Sequence, residues 1–273
     1  MVLLARVGSA SDVVIYGGTS SGIVAAVQVA RMGKSVVLIE PTKHLGGLTT
    51  GGLGATDIGN KGAIGGLSRE FYRRIRTYYQ DPSAWTWNTP EDFRRVSRHA
   101  FMPDEDTQWR FEPSVAMKVY QAMLDEAGVT AVLGERLNLE LGVKRDGACI
   151  TAIMMESGRT FPGTMFIDAT YEGDLMAKAG VGYAVGREAN SRYGETMNGV
   201  QVKRSTKHQF EAPVDPFVRP GDRSSGLLPG VHGDSPGDEG AGDHRVQAYN
   251  FRMCLTDVPE NRVPFEKPAD YDE

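Results

Sequence analysis

The sequence predicts an α/β protein built around a parallel sheet, and three observations support this fold class. Residues 12–16 and 35–40 are short apolar runs that are typical of buried strands. The segment between them has apolar residues at helical spacing, with glycines at both of its ends. A strand, a glycine turn, a helix and a second strand form a βαβ unit, and this crossover implies that the two strands are parallel.

The composition limits the class of protein and its partners. The chain has 273 residues, of which 40% are hydrophobic, which is enough for a large core and argues against extended disorder. Its 30 Lys and Arg residues against 35 Asp and Glu residues give a formal charge of −5 without a basic block, so we expect no nucleic-acid partner. No apolar run approaches the roughly 20 residues of a membrane-spanning helix, so no membrane partner is expected either.

The two cysteines and the first residues bear on the compartment. Cys149 and Cys254 form no C-x-x-C pattern, so we predict no metal site or disulfide-exchange motif and expect both as small buried groups. The opening residues MVLLARVGSAS are too short for a secretory signal. We expect a cytoplasmic protein, and a clipped signal is left open.

The turn after the first strand carries the pattern of a dinucleotide-binding loop. Gly17, Thr19 and Gly22 occupy the three defined positions of G-x-G-x-x-G, so threonine replaces the middle glycine. We expect the first glycine to permit the tight turn, the last to let helix and strand approach, and Gly18 to relieve crowding beside Thr19. The N–H groups expected to face an anion at the start of the helix are those of Ser20, Ser21 and Gly22.

Glu40 ends the second strand, 18 positions beyond Gly22, where a carboxylate can accept hydrogen bonds from ribose hydroxyls. The alternative is a loop and helix whose glycines are incidental. Because strand, turn, helix, second strand and terminal acid all agree, we predict a dinucleotide site.

A second glycine cluster follows in residues 41–54, PTKHLGGLTTGGLG. The stretch is too glycine-rich for a regular helix, and its paired glycines would let backbone amides lie against the pyrophosphate and far end of a longer cofactor. A flexible loop is the alternative. His44 is a candidate acid or base there, and Thr49 and Thr50 are candidate hydroxyl donors. The candidate cofactor contacts in this stretch are Pro41, His44, Gly46, Gly47, Leu48 and Thr49.

These motifs resemble the FAD-dependent oxidoreductase family of the glutathione-reductase-like flavoprotein class, in its amino-terminal portion, with a similar GGT-x-x-G turn and HLGG loop. The resemblance implies a Rossmann-like FAD-binding domain with a parallel sheet and an antiparallel β-meander. It also implies a substrate domain, which is incomplete here because family members are longer. The implied cofactor is FAD, and the implied reaction is hydride transfer between a small-molecule substrate and the flavin. No catalytic side chain is assigned.

The remaining elements fit that resemblance. We predict a FAD-binding domain over residues 1–185, with a helical insertion over about 60–110 that contains helices at 65–79 and 91–101. A further helix is expected to begin at Glu112–Pro113, with Glu112 as its cap, and to end at Gly128. Turn signals at Asp146–Gly147 and Ser157–Gly158 predict the meander, and a separate strand is expected at Met165–Ala169.

Later candidate contacts lie near that returning strand. Leu137 is a candidate for backbone contact with adenine. The segment DATYEGDL places a strand end before a new helix, where open α/β sheets hold ligands. The residues singled out there are Asp168, Ala169, Thr170 and Asp174, although an ordinary capped helix is the alternative.

The composition changes after residue 185, and we predict a partial substrate domain over residues 186–273. It contains a Gly-, Pro- and Asp-rich segment, 219–244, that predicts a long irregular loop. A strand is expected at QAYNFR, where Asn250 and Arg252 are candidates for substrate contact.

Three rival functions remain open at this point. They are a nicotinamide-dependent dehydrogenase, a tRNA-modifying flavoprotein and a truncated, non-catalytic nucleotide-binding fragment. If the first turn contacts phosphate, replacing Gly17 with Val is expected to abolish cofactor uptake.

Overall fold

The computed structural model describes residues 9–96, 105–206, 210–247, 253–269 and 271. The strands in chain order are β1 Ser11–Tyr16, β2 Val36–Glu40, β3 Ala131–Leu133, β4 Val143–Asp146, β5 Cys149–Met154, β6 Thr160–Asp168, β7 Phe217–Arg219 and β8 Asp222–Leu227. The helices are α1 Ser20–Arg31, α2 Gly47–Thr50, α3 Gly66–Gln80, α4 Pro90–Val96, α5 Pro113–Ala127, α6 Asp174–Lys178 and α7 Asn190–Tyr193. Short 3-10 helices occupy Lys61–Ala63, Pro82–Ala84 and Pro259–Asn261.

A mixed six-stranded sheet, in the order β3-β2-β1-β6-β5-β4, forms the frame of the first part of the chain. Strand β1 is parallel to both β2 and β6, and β2 is parallel to β3. Strands β4, β5 and β6 are antiparallel neighbours, so the predicted meander is present. The α/β fold class and its parallel sheet are therefore confirmed.

The predicted boundary between meander and returning strand is wrong, because both belong to the nine-residue strand β6. Its beginning pairs with β5 as far as Pro162, and from Gly163 onward it pairs with β1. A Cβ at Gly163 would lie 2.5 Å from the side chain of Val14 on β1. The missing side chain therefore lets the strand exchange one partner for the other without interruption.

Helices α1, α3 and α5 cover one face of the sheet with an apolar core that includes Ile23, Phe71, Ile75 and Tyr120. The rings of Phe71 and Tyr120 are stacked with centroids 4.4 Å apart. A smaller apolar cluster, which includes Ile153, is built from residues of β1, β2 and β5 together with buried residues outside the strands. The helices therefore stabilise the sheet mainly through aromatic and aliphatic burial.

The helix boundaries at α3 and α5 follow the predicted signals, with Gly128 ending α5 in the left-handed conformation. The described part of the other predicted helix is α4, and residues 97–101 lie outside the described residues. Glu112 holds the predicted N-cap position of α5, but its side chain makes no capping hydrogen bond. Its carboxylate accepts a hydrogen bond from Tyr79 Oη at 2.9 Å instead.

Both cysteines are exposed, so their predicted burial is wrong. Cys149 begins β5 immediately after the tight turn at Gly147, where the hairpin edge faces outward. Cys254 lies in a described segment that contains large exposed apolar side chains, among them Leu255. No helix in the described part of the chain is both long and apolar enough to span a bilayer.

The chain divides into two compact units, residues 1–181 with 251–273, and residues 182–250. In the second unit, β7 and β8 form a hairpin around Gly221, so the start of the predicted irregular loop is ordered as antiparallel strands. Residues 228–244 consist of turns and irregular chain. Asn250, Arg252 and most of the predicted QAYNFR strand lie outside the described residues. The domain limits at residue 185 and the incomplete substrate domain stay predictions.

Candidate cofactor site

A crevice of about 530 Å³ opens at the carboxyl ends of the parallel strands β1, β2 and β6. Strand β1 continues through α1 to β2 on one side, whereas β6 flanks it on the other side, so the crevice lies where the strand order reverses. Open α/β sheets bind ligands at such a point. The crevice is lined by Tyr16, Gly17, Thr19, Glu40, Pro41, Thr42, His44, Gly47, Leu48, Arg136, Thr170, Tyr171, Glu172 and Asp174.

The first glycine turn is held against the end of β6 by close contacts between main-chain atoms. Gly17 has φ +106°, and a Cβ there would lie 2.7 Å from the carbonyl carbon of Ala169 and the nitrogen of Thr170. A Cβ at Gly22 would lie 1.9 Å from the Gly17 carbonyl oxygen. Glycine at both positions therefore leaves the main chain bare at the edge of the crevice.

Thr19 caps α1 and does not simply crowd the turn. Its hydroxyl donates to the carbonyl of Ala169 at 2.7 Å and accepts from the Gly22 N–H at 3.4 Å. The expectation that the Gly22 N–H is free for an anion is therefore wrong. Ser20 and Ser21 remain in the first helical turn, whose N–H groups have no acceptor within the helix.

Glu40 is only 7% exposed and lies in the wall of the crevice. Its Oε2 accepts from the Gly18 N–H at 2.7 Å, and its Oε1 accepts from both the N–H and the hydroxyl of Thr42, each at 2.7 Å. The carboxylate is thus fixed between the glycine turn and the end of β2. An ionised carboxylate has about four acceptor positions, so its orientation is compatible with a further donor from a ribose.

The second glycine cluster contains one regular turn of helix, α2, although no regular helix was expected there. Gly46 precedes it in the left-handed conformation with φ +91°. The Thr50 hydroxyl closes the loop on itself, since it contacts the carbonyl of Leu45 and lies 2.8 Å from His44 Nε2. Thr50 is therefore buried within the loop and is not presented to the crevice as the predicted donor.

The connection from β6 to α6 is fixed by Asp168. Its Oδ1 accepts from the Thr170 N–H and hydroxyl at 3.0 and 2.7 Å, and its Oδ2 accepts from the Met176 N–H at 2.9 Å. Tyr171 follows, and its hydroxyl accepts from the Leu48 N–H at 2.8 Å. This contact joins the connection to α2 beside the crevice.

Leu137 is fully buried, and its N–H donates to Tyr16 Oη at 2.9 Å. The N–H is therefore engaged within the fold and not presented to a ligand. Burial raises the pKa of the Tyr16 phenol, so this group keeps its proton.

The predicted contacts fall into three groups by position. Those that line the crevice are Gly17, Thr19, Glu40, Pro41, His44, Gly47, Leu48, Thr170 and Asp174. Those that line a separate cavity of about 640 Å³ beside α1, α3 and α5 are Ser20, Ser21 and Thr49. The remaining six, which are not among the lining residues of either cavity, are Gly18, Gly22, Gly46, Leu137, Asp168 and Ala169. Whether each binds a cofactor stays a prediction.

Sequence reasoning missed several lining residues, namely Tyr16, Thr42, Arg136, Tyr171 and Glu172. Each lies within two positions of a predicted residue in the sequence. This closeness in sequence was the feature from which they could have been predicted. Arg136 is the important omission, because it brings a positive charge to a crevice whose other charged side chains include Glu40 and Asp174.

The sheet topology and the crevice define a Rossmann-like α/β protein. The family model described as "FAD dependent oxidoreductase" matches residues 12–273. The chain belongs to the FAD-dependent oxidoreductase family, and the resemblance drawn from the two glycine motifs is confirmed. No curated protein matches the chain.

Several solved structures are similar to part of this chain. L-proline dehydrogenase from P. horikoshii has 16% identity and a TM-score of 0.43, over 66% of this chain and 58% of that one. L-amino acid deaminase from Proteus myxofaciens has 16% identity and a TM-score of 0.44, over 68% and 52%. Thioredoxin reductase from Streptococcus pyogenes has 18% identity and a TM-score of 0.33, over 59% and 35%. The chain thus spans little more than half the length of the first two.

Proposed function

We propose that the crevice holds FAD and that the protein transfers hydride between a small organic molecule and the flavin. The pyrophosphate would lie on the turn from Gly17 to Gly22, the ribose at Glu40, and the flavin end toward Gly46 and Gly47. FAD supplies the redox chemistry in such proteins, and the chain supplies position, electrostatics and shielding from water.

The observation that carries this proposal is the placement of Glu40 in the wall of an open crevice beside the bare turn at Gly17. A side chain at Gly17 would collide with main-chain atoms, so the turn keeps its main chain uncovered. The first-turn N–H groups of α1 favour a negative phosphate. Together these features fit a nucleotide diphosphate next to a sugar diol.

The other lining residues have supporting roles in this proposal. Arg136 adds a positive charge for the diphosphate, and His44, fixed by Thr50, stands where a proton could be held near the second glycine cluster. The hydroxyl of Tyr171, bound to the Leu48 N–H, would form an adjustable side of the crevice.

The direct test is the visible spectrum of the purified chain before and after FAD is added, followed by a titration of flavin fluorescence. We expect saturable uptake of FAD and no displacement by a nicotinamide dinucleotide. A colourless chain that takes up no FAD would contradict the flavin assignment for this chain. Displacement of FAD by the nicotinamide dinucleotide would favour a nicotinamide-dependent dehydrogenase.

The Glu40→Gln variant tests the ribose contact. Because an amide nitrogen cannot accept the Thr42 donors or a ribose hydroxyl, we expect FAD affinity to fall about tenfold. The matched control is Glu140→Gln, the same change at an exposed position of a turn outside the crevice. Equal FAD affinities for the two folded variants would remove Glu40 from the site.

A further inference from the structure

A third cavity, of about 510 Å³, lies in the helical layer and shares no lining residue with the crevice among the described residues. It is formed by the end of α3, the segment 84–88, Phe93 on α4 and the beginning of α5. Its volume is in the range of small-molecule sites. The cavity is not used by the function proposed above.

Aromatic side chains form the walls of this cavity and hold each other in place. The ring of Trp85 lies 5.3 Å from that of Tyr79 and 5.6 Å from that of Phe93, measured between centroids. The indole N–H of Trp85 donates to the Tyr79 carbonyl at 2.9 Å, which fixes the plane of the ring. Trp87 also lines the cavity and is 47% exposed. Such walls suit a planar aromatic ring.

The charged groups of the cavity are two cations and one acid, Arg110, Lys118 and Glu112. The acid is already engaged, because its Oε2 accepts a hydrogen bond from the Tyr79 hydroxyl and the Glu112 backbone N–H donates to Tyr79 Oη, both at 2.9 Å. Burial raises the pKa of Tyr79 above its ordinary value, so this phenol stays neutral and keeps donating. The acid is thus occupied by Tyr79, and Lys118 is the cation of the cavity considered below.

Lys118 is held at the cavity by Tyr78. Its ammonium group lies 3.2 Å from Tyr78 Oη and 5.2 Å from the centroid of that ring. An ammonium has three donors, so this contact leaves capacity for a ligand oxygen. Arg110 also lines the cavity, and one of its guanidinium nitrogens donates to the Val96 carbonyl at 3.3 Å.

We propose that this cavity is a binding site for a small aromatic carboxylate. The aromatic ring would lie against Trp85 and Phe93, and the carboxylate would accept a hydrogen bond from Lys118. The site is separate from the FAD crevice, and its occupation does not require FAD.

The test uses three matched probes on the full chain: para-nitrobenzoate, para-nitrobenzyl alcohol and para-nitrobenzylamine. They share one ring and differ in charge, and the nitro group quenches tryptophan fluorescence. We expect the anion to bind about tenfold more tightly than the alcohol, because a charge-assisted hydrogen bond is added, and the amine to bind most weakly. Calorimetric titration supplies a second readout. Equal affinities, or the amine as the best ligand, would overturn the proposal.

Two variants locate the binding. Lys118→Met should lower the affinity for the anion to near that of the alcohol, whereas Lys144→Met, the same change on β4, should leave it unaltered. Ser114→Phe, which fills the cavity from the second residue of α5, should abolish binding of all three probes. A folded Ser114→Phe variant with unchanged binding would place the probes elsewhere.

A titration of para-nitrobenzoate in the presence of saturating FAD distinguishes this site from the crevice. We expect the affinity for para-nitrobenzoate to be the same with and without FAD. Competition between them would mean that the probe occupies the crevice, and the proposed second site would then be wrong even if FAD uptake is confirmed.

Discussion

The two glycine turns beside the crevice differ in what packs against them. In the first turn, a Cβ would meet main-chain atoms, at 2.7 Å from Ala169 for Gly17 and at 1.9 Å from Gly17 itself for Gly22. Main-chain atoms of a sheet and a helix cannot move without disturbing the hydrogen bonds around them. The first turn is therefore rigid.

In the second turn, a Cβ would meet side chains instead. The nearest atoms are Thr50 Cγ2 at 2.3 Å for Gly46 and Tyr171 Oη at 2.2 Å for Gly47. Tyr171 is 59% exposed, so its ring can rotate away at small cost. The crevice thus has one fixed wall and one adaptable wall, which suits a cofactor held at its phosphates and adjusted at its other end.

The largest effect is expected for Gly22→Ala in the rigid wall. The added methyl cannot be accommodated 1.9 Å from the Gly17 oxygen, so we expect destabilisation of about 3 kcal/mol or more. Urea unfolding followed by circular dichroism measures it. The control is Gly59→Ala, where a Cβ meets open space, with a change below about 0.5 kcal/mol. Similar stabilities for the two variants would show that the first turn is not rigid.

The next effect is that of Gly17→Val. A β-branched residue at φ +106°, close to Ala169 and Thr170, should cost about 2 to 3 kcal/mol. FAD uptake should also be lost, because the side chain displaces the main chain from the phosphates. Unchanged FAD affinity in a folded variant would refute the phosphate role of the turn.

A smaller effect is expected for Gly47→Ala in the adaptable wall. The left-handed backbone at φ +55° should cost about 1 to 2 kcal/mol, and the contact with Tyr171 should add to it. In Tyr171→Ala protein the contact is gone, so the same substitution should cost about 0.5 to 1 kcal/mol less. The measurement is a double-mutant cycle from unfolding midpoints. Strict additivity would mean that Tyr171 does not pack on the loop.

The sequence predicted the elements whose signals are local. The βαβ unit followed from apolar spacing and glycines, and α5 followed from a proline at its start and Gly128 at its end. The family itself was identified from residues within the first 52, because the turn at Gly17 and the loop at Gly46 are contiguous motifs. Local chemistry therefore sufficed for the fold class and the position of the crevice.

The errors concern contacts between segments far apart in the chain. Tyr171 reaches Leu48 only because β6 lies beside β1, and no local pattern states that pairing. The continuity of β6 likewise depends on Gly163 packing against Val14 across the sheet. In contrast, the Thr19 contact with the Gly22 N–H was open to prediction, since threonine three residues before an N–H is an ordinary helix cap.

The smallest effect on stability is expected at the carboxyl end of α1, opposite the rigid turn, where an ion pair anchors the helix. Glu70 on α3 accepts hydrogen bonds from Arg31 on α1 at 2.7 Å and from Arg74 at 2.8 Å. The hydrogen bond from Arg31 makes the largest contribution to lowering the pKa of Glu70 from 4.5 to about 2, and the hydrogen bonds from Arg74 lower it further. Because the folded pKa lies below the unfolded one, the stabilisation is present above about pH 4.5 and is lost as the pH falls toward 2.

Glu70→Gln should therefore cost about 1 kcal/mol near neutral pH, and its stability should converge with that of the original chain in acid. Urea unfolding at a series of pH values measures the difference, with Glu140→Gln as the exposed control that shows none. A difference that stays constant down to pH 2 would mean that the ion pair does not anchor α1. The rigidity of the first turn would then rest on its main-chain contacts with Ala169 and Thr170 alone.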